Sequence, residues 1–234
     1  METIYTIPVN EAFDACRISE GEKEAGRIPI CPFCLLTAKC EENELDLILG
    51  ASMMEPDVRI MTNRKFFCRR HYSRMLSMKN RLGLALMVQS HMAELREEIL
   101  SSKIPSEGET CYICDRIEAT LARMFTASAV LWARDGSFRK KAAEQEVYCI
   151  PHLARFLNAG KKEIPRREYA AFSESIRNAA LRKFDGLSSD IDHFCRKFDY
   201  RYENEDWNGA KNAVERAEKL LLGDGDLRPG KGKR

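Results

Sequence analysis

The chain contains the same arrangement of cysteine and histidine twice. The first copy has a C-x2-C pair at Cys31 and Cys34 and, after 33 intervening residues, a C-x2-H pair at Cys68 and His71. The second copy has the same two pairs, 34 residues apart, at Cys111, Cys114, Cys149 and His152. Corresponding positions are offset by 80 or 81 residues. Scattered residues would not give such matched spacing, so we predict an internal duplication.

Paired cysteines and histidines at this spacing are typical of a tetrahedral metal site. We therefore predict that all eight side chains are metal ligands and that the chain binds two zinc ions. Three cysteines and one histidine form a closed zinc shell with no position for water, which argues against catalysis at the metal. We also find no Ser-His-Asp order, phosphate loop or paired-carboxylate signature. The spacing leaves open whether each ion is bound within one copy or across the copies, for example by Cys31 and Cys34 with Cys149 and His152.

Two other chemistries remain as alternatives for these residues. An iron–sulfur cluster is the first, because three cysteines and a histidine can hold one. Thiol redox chemistry is the second, because Cys31-Pro-Phe-Cys34 resembles a glutaredoxin active-site motif. That motif requires a preceding strand and a βαβ context, which the sequence does not offer, and it leaves the other three pairs unexplained. We therefore prefer a structural zinc ion.

The composition favours a soluble protein of the cytoplasm. Residues 1–10 lack the basic and apolar segments of a secretory signal, and the longest apolar run, residues 84–88, is too short to cross a membrane. Cytosolic thiols stay reduced, so the nine cysteines are better explained as metal ligands or redox groups than as disulfides. The net charge of +2 does not by itself indicate nucleic-acid binding.

One segment is nevertheless strongly basic. Residues 58–93 contain no acidic residue. Their basic residues are Arg59, Arg64, Lys65, Arg69, Arg70, Arg74, Lys79 and Arg81. Nucleic-acid binding through this 59–81 face is an alternative function. We favour the simpler explanation that the basic face pairs with the acidic helix around residues 41–46, because the second copy does not keep the basic run.

Apolar residues recur at helical spacing along most of the chain, which predicts an all-α protein. We expect a helix from Cys31 to about Gly50, a connector over 55–67 and one helix over 68–101. A further helix is expected over 116–132, followed by a turn at Asp135-Gly136. Residues 169–198 are expected to form one long amphipathic helix, or two joined near Gly186, and a last helix is expected over 208–222. The predicted fold is a duplicated helical unit, or helix bundle, in which each copy carries a Cys3His metal site, with a C-terminal helical extension.

This pattern also divides the chain. We predict an N-terminal segment (1–30), a first metal-binding repeat (31–101), a linker (102–110), a second metal-binding repeat (111–160), a C-terminal helical extension (161–222) and a disordered basic tail (223–234). In the extension, residues 197–202 and Trp207 are dense in aromatic and charged side chains. They form either a binding surface or, more commonly, a helix end that packs back onto the core.

Several motifs resemble an uncharacterised bacterial family of unknown function. They are Cys31-Pro-Phe-Cys34, the connector of residues 54–59, Phe67-Cys68-Arg69-Arg70-His71, residues 80–86, residues 111–116 and Lys197-Phe-Asp-Tyr-Arg201 followed by Trp207. The resemblance covers residues 28–222, and it departs at Asp206, where the family has proline before the tryptophan. It implies no activity. We therefore expect a non-catalytic, zinc-stabilised helical interaction protein with an unknown protein partner and no membrane association.

Overall fold

The computed structural model describes residues 3–17, 29–101 and 110–225, and the regular structure in these ranges is entirely helical. The α-helices are α1 (Thr6–Ala15), α2 (Pro32–Leu49), α3 (Pro56–Lys65), α4 (Arg69–Ser77), α5 (Arg81–Leu100), α6 (Tyr112–Arg134), α7 (Gly136–Ala143), α8 (Ile150–Glu163), α9 (Arg166–Arg196) and α10 (Ala213–Leu222). Short 3-10 helices cover Thr3–Tyr5, Ala51–Met54, Tyr200–Tyr202 and Ala210–Asn212. The predicted all-α class is confirmed. Within the described ranges, none of the helices has the length and apolar character needed to cross a membrane.

The chain divides into two compact units that do not follow the two sequence copies. Unit 1 contains residues 1–38 and 122–234, and unit 2 contains residues 39–121. The boundaries between the units therefore fall inside α2 and α6. The two C-terminal helices, α9 and α10, belong to unit 1. Each unit thus draws on both copies of the duplicated sequence.

Aromatic side chains fill the core of unit 1. Its large buried rings are Phe13, Phe33, Phe125, Trp132, Phe138, Tyr148, Phe156 and Phe172. Phe33 stacks on Phe125 with ring centroids 4.1 Å apart. Such ring pairs contribute about 0.5–1.5 kcal/mol beyond the burial of their area. Because Phe33 lies between Cys31 and Cys34, this core is built directly against the first C-x2-C pair.

In unit 2, a buried asparagine joins α3 to α5. The Nδ2 group of Asn63 donates to Glu94 at 2.6 Å, and its Oδ1 accepts from the hydroxyl of Ser90 at 2.9 Å. The Nδ1 atom of His91 lies 2.9 Å from the carbonyl oxygen of Asn63, and the ring stacks on Phe66 with centroids 4.0 Å apart. His91 is therefore a packing residue with a satisfied hydrogen bond.

The structure corrects several predicted helix boundaries. The expected connector over 55–67 is largely the helix α3, which begins at Pro56, where a missing N–H costs nothing. The expected single helix over 68–101 is two helices: α4 ends at Ser77, and Asn80 caps the start of α5 by accepting from the N–H of Gly83 at 2.9 Å. The last helix begins at Ala213 and not at residue 208.

Asp135-Gly136, expected to be a turn, is the start of another helix. The Oδ1 atom of Asp135 accepts from the backbone N–H of Ser137 at 2.8 Å and of Phe138 at 3.3 Å, which is the hydrogen bonding of an N-cap.

The long C-terminal helix α9 is continuous through Gly186. The core of the predicted linker, residues 102–109, and the predicted tail from residue 226 onward lie outside the described residues.

Two helical glycines in unit 1 have opposite surroundings and predict opposite effects of alanine. A Cβ atom at Gly160 would lie 2.0 Å from the ring of the buried Phe172, whereas one at Gly186 would meet nothing within 4 Å. We expect Gly160→Ala to lower the free energy of unfolding by about 2 kcal/mol or more, because overpacking shifts a core ring. Gly186→Ala should raise it by up to about 1 kcal/mol, because alanine favours helix. Urea denaturation of both variants tests this, and equal effects would contradict the packing.

Candidate metal centres

All four ligand pairs lie at the start of a helix. The carbonyl oxygen of the first cysteine in each pair accepts the N–H four residues later, which closes the first helical turn. These bonds are Leu35 to Cys31 at 3.2 Å, Tyr72 to Cys68 at 2.9 Å, Asp115 to Cys111 at 3.0 Å and Leu153 to Cys149 at 2.8 Å. The backbone angles of Cys68 (φ −65°, ψ 160°) and Cys149 (φ −67°, ψ 151°) are nearly identical. The two copies therefore present their ligands through the same local geometry.

The structure gathers the eight predicted side chains into two groups of four. Site 1 consists of Cys31, Cys34, Cys149 and His152, and site 2 consists of Cys68, His71, Cys111 and Cys114. Each site combines the C-x2-C pair of one copy with the C-x2-H pair of the other. This answers the question that the spacing left open, and it corrects the arrangement in which each copy carries its own complete site.

The length of the intervening helix explains the exchange between copies. After Cys31 and Cys34 the chain follows α2 for 18 residues. At 1.5 Å per residue this helix carries the chain about 27 Å away from its start. The next helix, α3, has 10 residues and is about 15 Å long, so by itself it covers only about half of that distance. The C-x2-H pair that follows therefore meets the C-x2-C pair of the second copy, and each site lies wholly within one compact unit.

In both sites the distances between ligand atoms are those of a small tetrahedron. In site 1, His152 Nδ1 lies 3.9 Å from Cys31 Sγ, 3.4 Å from Cys34 Sγ and 3.2 Å from Cys149 Sγ, and the last two sulfurs are 3.6 Å apart. A zinc ion with bonds of about 2.3 Å to sulfur and 2.0–2.1 Å to nitrogen sets edges of about 3.8 Å between sulfurs and 3.6 Å between sulfur and nitrogen. The donor set therefore fits a single tetrahedral cation.

Site 2 has the same dimensions. The Nδ1 atom of His71 lies 3.3 Å from both Cys68 Sγ and Cys111 Sγ and 3.4 Å from Cys114 Sγ. The sulfurs of Cys68 and Cys114 are 3.9 Å apart. All four donor atoms of each site lie within 4.8 Å of one another, and all nine cysteines are free thiols.

Burial keeps the ligands of site 1 uncharged when no cation is present. The three cysteines are buried, and burial raises the pKa of the Cys31 thiol well above its usual value. Burial, together with the charge of Arg155, lowers the pKa of His152 to about 4. A neutral imidazole has a free lone pair and can bind a cation at neutral pH.

The end of the last helix closes site 1. The backbone N–H of Asp224 donates to the sulfur of Cys34 at 3.3 Å. Gly223 has φ +87°, a conformation that favours glycine, and a Cβ atom there would lie 3.6 Å and 3.7 Å from the sulfurs of Cys149 and Cys34. Lys219 pairs with the Asp224 carboxylate at 3.0 Å and fixes this segment. The segment that follows α10 therefore supplies an N–H···S bond directly to a candidate ligand.

Site 2 has a buried carboxylate beside its histidine, which site 1 lacks among the described residues. Glu41, only 3% exposed, places Oε1 3.1 Å from His71 Nε2. Its Oε2 pairs with Arg70 at 3.1 Å and closely with Arg74. Among the described residues Oε1 has no other polar partner, so this oxygen faces His71 alone. Arg70 and Arg74 therefore compensate the charge of this carboxylate.

Without a cation, His71 and Cys111 stabilise each other as an ion pair. Burial opposes the charge of His71, but Cys111 and Glu41 outweigh it and raise the pKa of His71 to about 9. Burial likewise opposes the Cys111 thiolate, but His71 outweighs it and lowers the pKa of Cys111 to about 6. The proton on Nδ1 faces three sulfurs, which is the position that a metal ion would take in exchange for protons.

Sequence reasoning missed Glu41 and the contact of Asp224 with site 1. Glu41 is one of several acids on α2, and only the fold distinguishes it. The residues left over from the motifs are not placed at the sites: Cys16 and Cys40 are buried, and His193 hydrogen-bonds the carbonyl oxygen of Asp206 at 2.8 Å.

The fold and sites define a class of duplicated helical proteins with two candidate Cys3His metal centres, each shared between the copies. The model of a family of unknown function (DUF6062) matches the chain twice, over residues 1–109 and 100–226, and the chain belongs to this family. Both the predicted resemblance and the duplication are thereby confirmed. No curated protein and no solved structure matches the chain.

The two arginines that hold Glu41 should differ in their contribution to stability. Arg74 has a side chain 27% exposed, whereas that of Arg70 is 55% exposed. We expect Arg74→Ala to lower the free energy of unfolding by about 2–3 kcal/mol, because it leaves a buried carboxylate undercompensated. Arg70→Ala should cost about 1 kcal/mol or less, because solvent already screens that pair. Urea denaturation of both variants measures the difference, and a larger effect of Arg70→Ala would contradict this geometry.

Proposed function

We propose that this chain is a non-catalytic, zinc-stabilised helical interaction protein that binds one zinc ion at each site. The observation that carries the proposal is the spacing of the donor atoms: four of the distances in each site are 3.2–3.9 Å, close to the edges of a zinc tetrahedron, and all donors of a site lie within 4.8 Å of one another. Four protein donors fill the coordination shell and leave no position for an activated water molecule. Zinc binding then contributes to folding instead of catalysis.

The same spacing favours zinc over an iron–sulfur cluster. A cluster distributes its protein ligands over two or more iron atoms, which spreads the donors more widely than a single ion does. Here each group of four donors is gathered within 4.8 Å. The nine free thiols also support a reducing compartment, and we place the protein in the cytoplasm on this ground.

A rigid turn after α9 supports the interaction role. The Nζ group of Lys197 donates to the carbonyl oxygens of Tyr202 at 2.9 Å and Glu203 at 2.6 Å, which fixes the turn. On this fixed turn, Phe198 and Tyr200 are 76% and 84% exposed. Rigid exposed aromatic side chains are the type that anchors protein interfaces, because little conformational entropy is lost on binding.

Nucleic-acid binding through residues 59–81 has less support. Three of the eight basic side chains in this segment pair with acids of the chain, since Arg70 and Arg74 contact Glu41 and Lys65 contacts Asp115. This pairing agrees with the simpler explanation of the basic segment. A protein partner is therefore our preferred interpretation.

The shared sites make a specific prediction about metal content. Cys34→Ser with Cys149→Ser removes two ligands from one site, and this double variant should keep about one zinc ion per chain. Cys34→Ser with Cys68→Ser damages both sites and should keep almost none. Elemental analysis of anaerobically purified protein measures the content, and the parent should carry two zinc ions.

Both double variants lose two thiols, so they control for each other. If each copy instead bound its own ion, Cys34→Ser with Cys68→Ser would be the variant that keeps one. Iron and labile sulfide in the parent, or a parent without any metal, would contradict the proposed function.

The contact of Asp224 with site 1 predicts an effect of shortening the chain. A protein that ends at Leu222 should release one of its two zinc ions to a chelator about three- to tenfold faster than the parent. This is the effect of losing a hydrogen bond worth about 1 kcal/mol. A protein that ends at Gly225 retains the N–H···S bond and serves as the control. Equal release rates for the two shortened proteins would contradict a role for this bond.

A further inference from the structure

Glu41 is the only carboxylate against a ligand histidine in the described part of the chain. It lies on α2, seven residues after Cys34, and it is not among the eight predicted donors. One of its oxygens lies 3.1 Å from Nε2 of His71, and the other is held by Arg70 and Arg74. The carboxylate is therefore oriented by two arginines so that one oxygen faces the imidazole.

The two nitrogens of His71 face different surroundings. Nδ1 faces the three sulfurs of site 2 at 3.3–3.4 Å, and Nε2 faces Glu41. A neutral imidazole carries one proton, and Nδ1 can bind a cation only when that proton is on Nε2. A carboxylate beside Nε2 favours this tautomer and holds the ring plane.

Site 1 lacks such a group. The ring of His152 lies near Phe33 and Phe125, with centroids 6.1 Å and 5.8 Å away. In the described residues no carboxylate lies within ion-pair distance of His152. The sequence offset of 80 between the copies places Leu121 at the position of Glu41. The same histidine role is thus supported by a carboxylate in one site only, and site 1 provides an internal reference.

We propose that Glu41 is a positioning residue for site 2, which holds His71 with Nε2 protonated and Nδ1 directed at the sulfurs and so determines how tightly this site retains its ion. This inference rests on the proposed function, since it requires that site 2 binds a cation. The expected effect of Glu41 is on the affinity of site 2 for its ion and on the rate at which that ion is released.

The test compares Glu41→Ala, Glu41→Gln and Glu44→Gln in the full chain loaded with zinc. Glu44 lies one turn further along α2 and pairs with Arg116 at 2.7 Å, with a side chain only 13% exposed. Its substitution therefore controls for the loss of a largely buried carboxylate–arginine pair on the same helix. Zinc release to a chromophoric chelator is followed over time, and the phase missing in Cys114→Ser identifies site 2.

Glu41→Ala should accelerate the release of the site 2 ion about 10- to 100-fold and leave the site 1 phase unchanged, which is the usual effect of removing the carboxylate partner of a ligand histidine. Glu41→Gln should have a smaller effect, because its amide oxygen can still accept from Nε2–H. Glu44→Gln should match the parent in both phases. Nitrogen-15 NMR of the histidine rings should show protonated Nε2 in the parent and a weakened or shifted signal in Glu41→Ala.

Different failures have different meanings. A parent that binds no metal would contradict the proposed function. A parent with two zinc ions, together with a Glu41→Ala variant that releases both at the parent rates, would overturn only the role of Glu41. Equal acceleration of both phases would also overturn it, because a general loss of stability would then suffice. If Glu41→Ala does not fold, Glu41→Gln decides, and release at the parent rate with unchanged NMR signals would reject the proposal.

Discussion

The close approach of three sulfurs in each site is the constraint on which the structure depends. Two thiolates 3.6 Å apart repel each other by roughly 5 kcal/mol at an effective dielectric constant of 20, so three cannot remain charged without a compensating cation. The protein without metal meets this requirement with protons. In site 1 burial keeps Cys31 protonated, and in site 2 the imidazolium of His71 pairs with Cys111. A divalent ion satisfies the same requirement more completely, which is why binding energy of this kind becomes folding energy.

The exchange of ligand pairs between copies makes the duplication obligatory. A C-x2-C pair of either copy meets its C-x2-H pair only in the other copy, so neither copy alone contains a complete site. The compact units follow this exchange, since each contains one entire site and parts of both copies. The duplicated sequence is therefore not two independent modules placed in series. Each site is formed at the N-termini of two helices, one from each copy: α2 with α8 in site 1, and α4 with α6 in site 2.

The sequence predicted the all-α class because helix formation depends largely on local information. Periodicity along one helix identified α2, α6 and α9, and the repeated spacing identified the eight side chains. The missed boundaries depended on single capping groups, namely the side chains of Asn80 and Asp135. The partition of the ligands was not predictable, because within-copy and cross-copy pairing have the same spacing along the chain. The role of Glu41 could not be predicted for a related reason: only its tertiary contacts distinguish it from the neighbouring acidic residues on α2.

The two sites also show how identical ligand sets can acquire different properties. Site 1 lies against the aromatic core, its cysteines are buried, and the N–H of Asp224 bonds one sulfur. Site 2 has an exposed ligand, Cys114, and a charged surrounding of Glu41, Arg70 and Arg74. Burial slows the access of competing ligands, whereas charged partners adjust the basicity of the donors that are present. Because the ligands themselves are the same, any difference in metal retention between the sites must arise from these surroundings, and the duplication has preserved the ligands while their environments diverged.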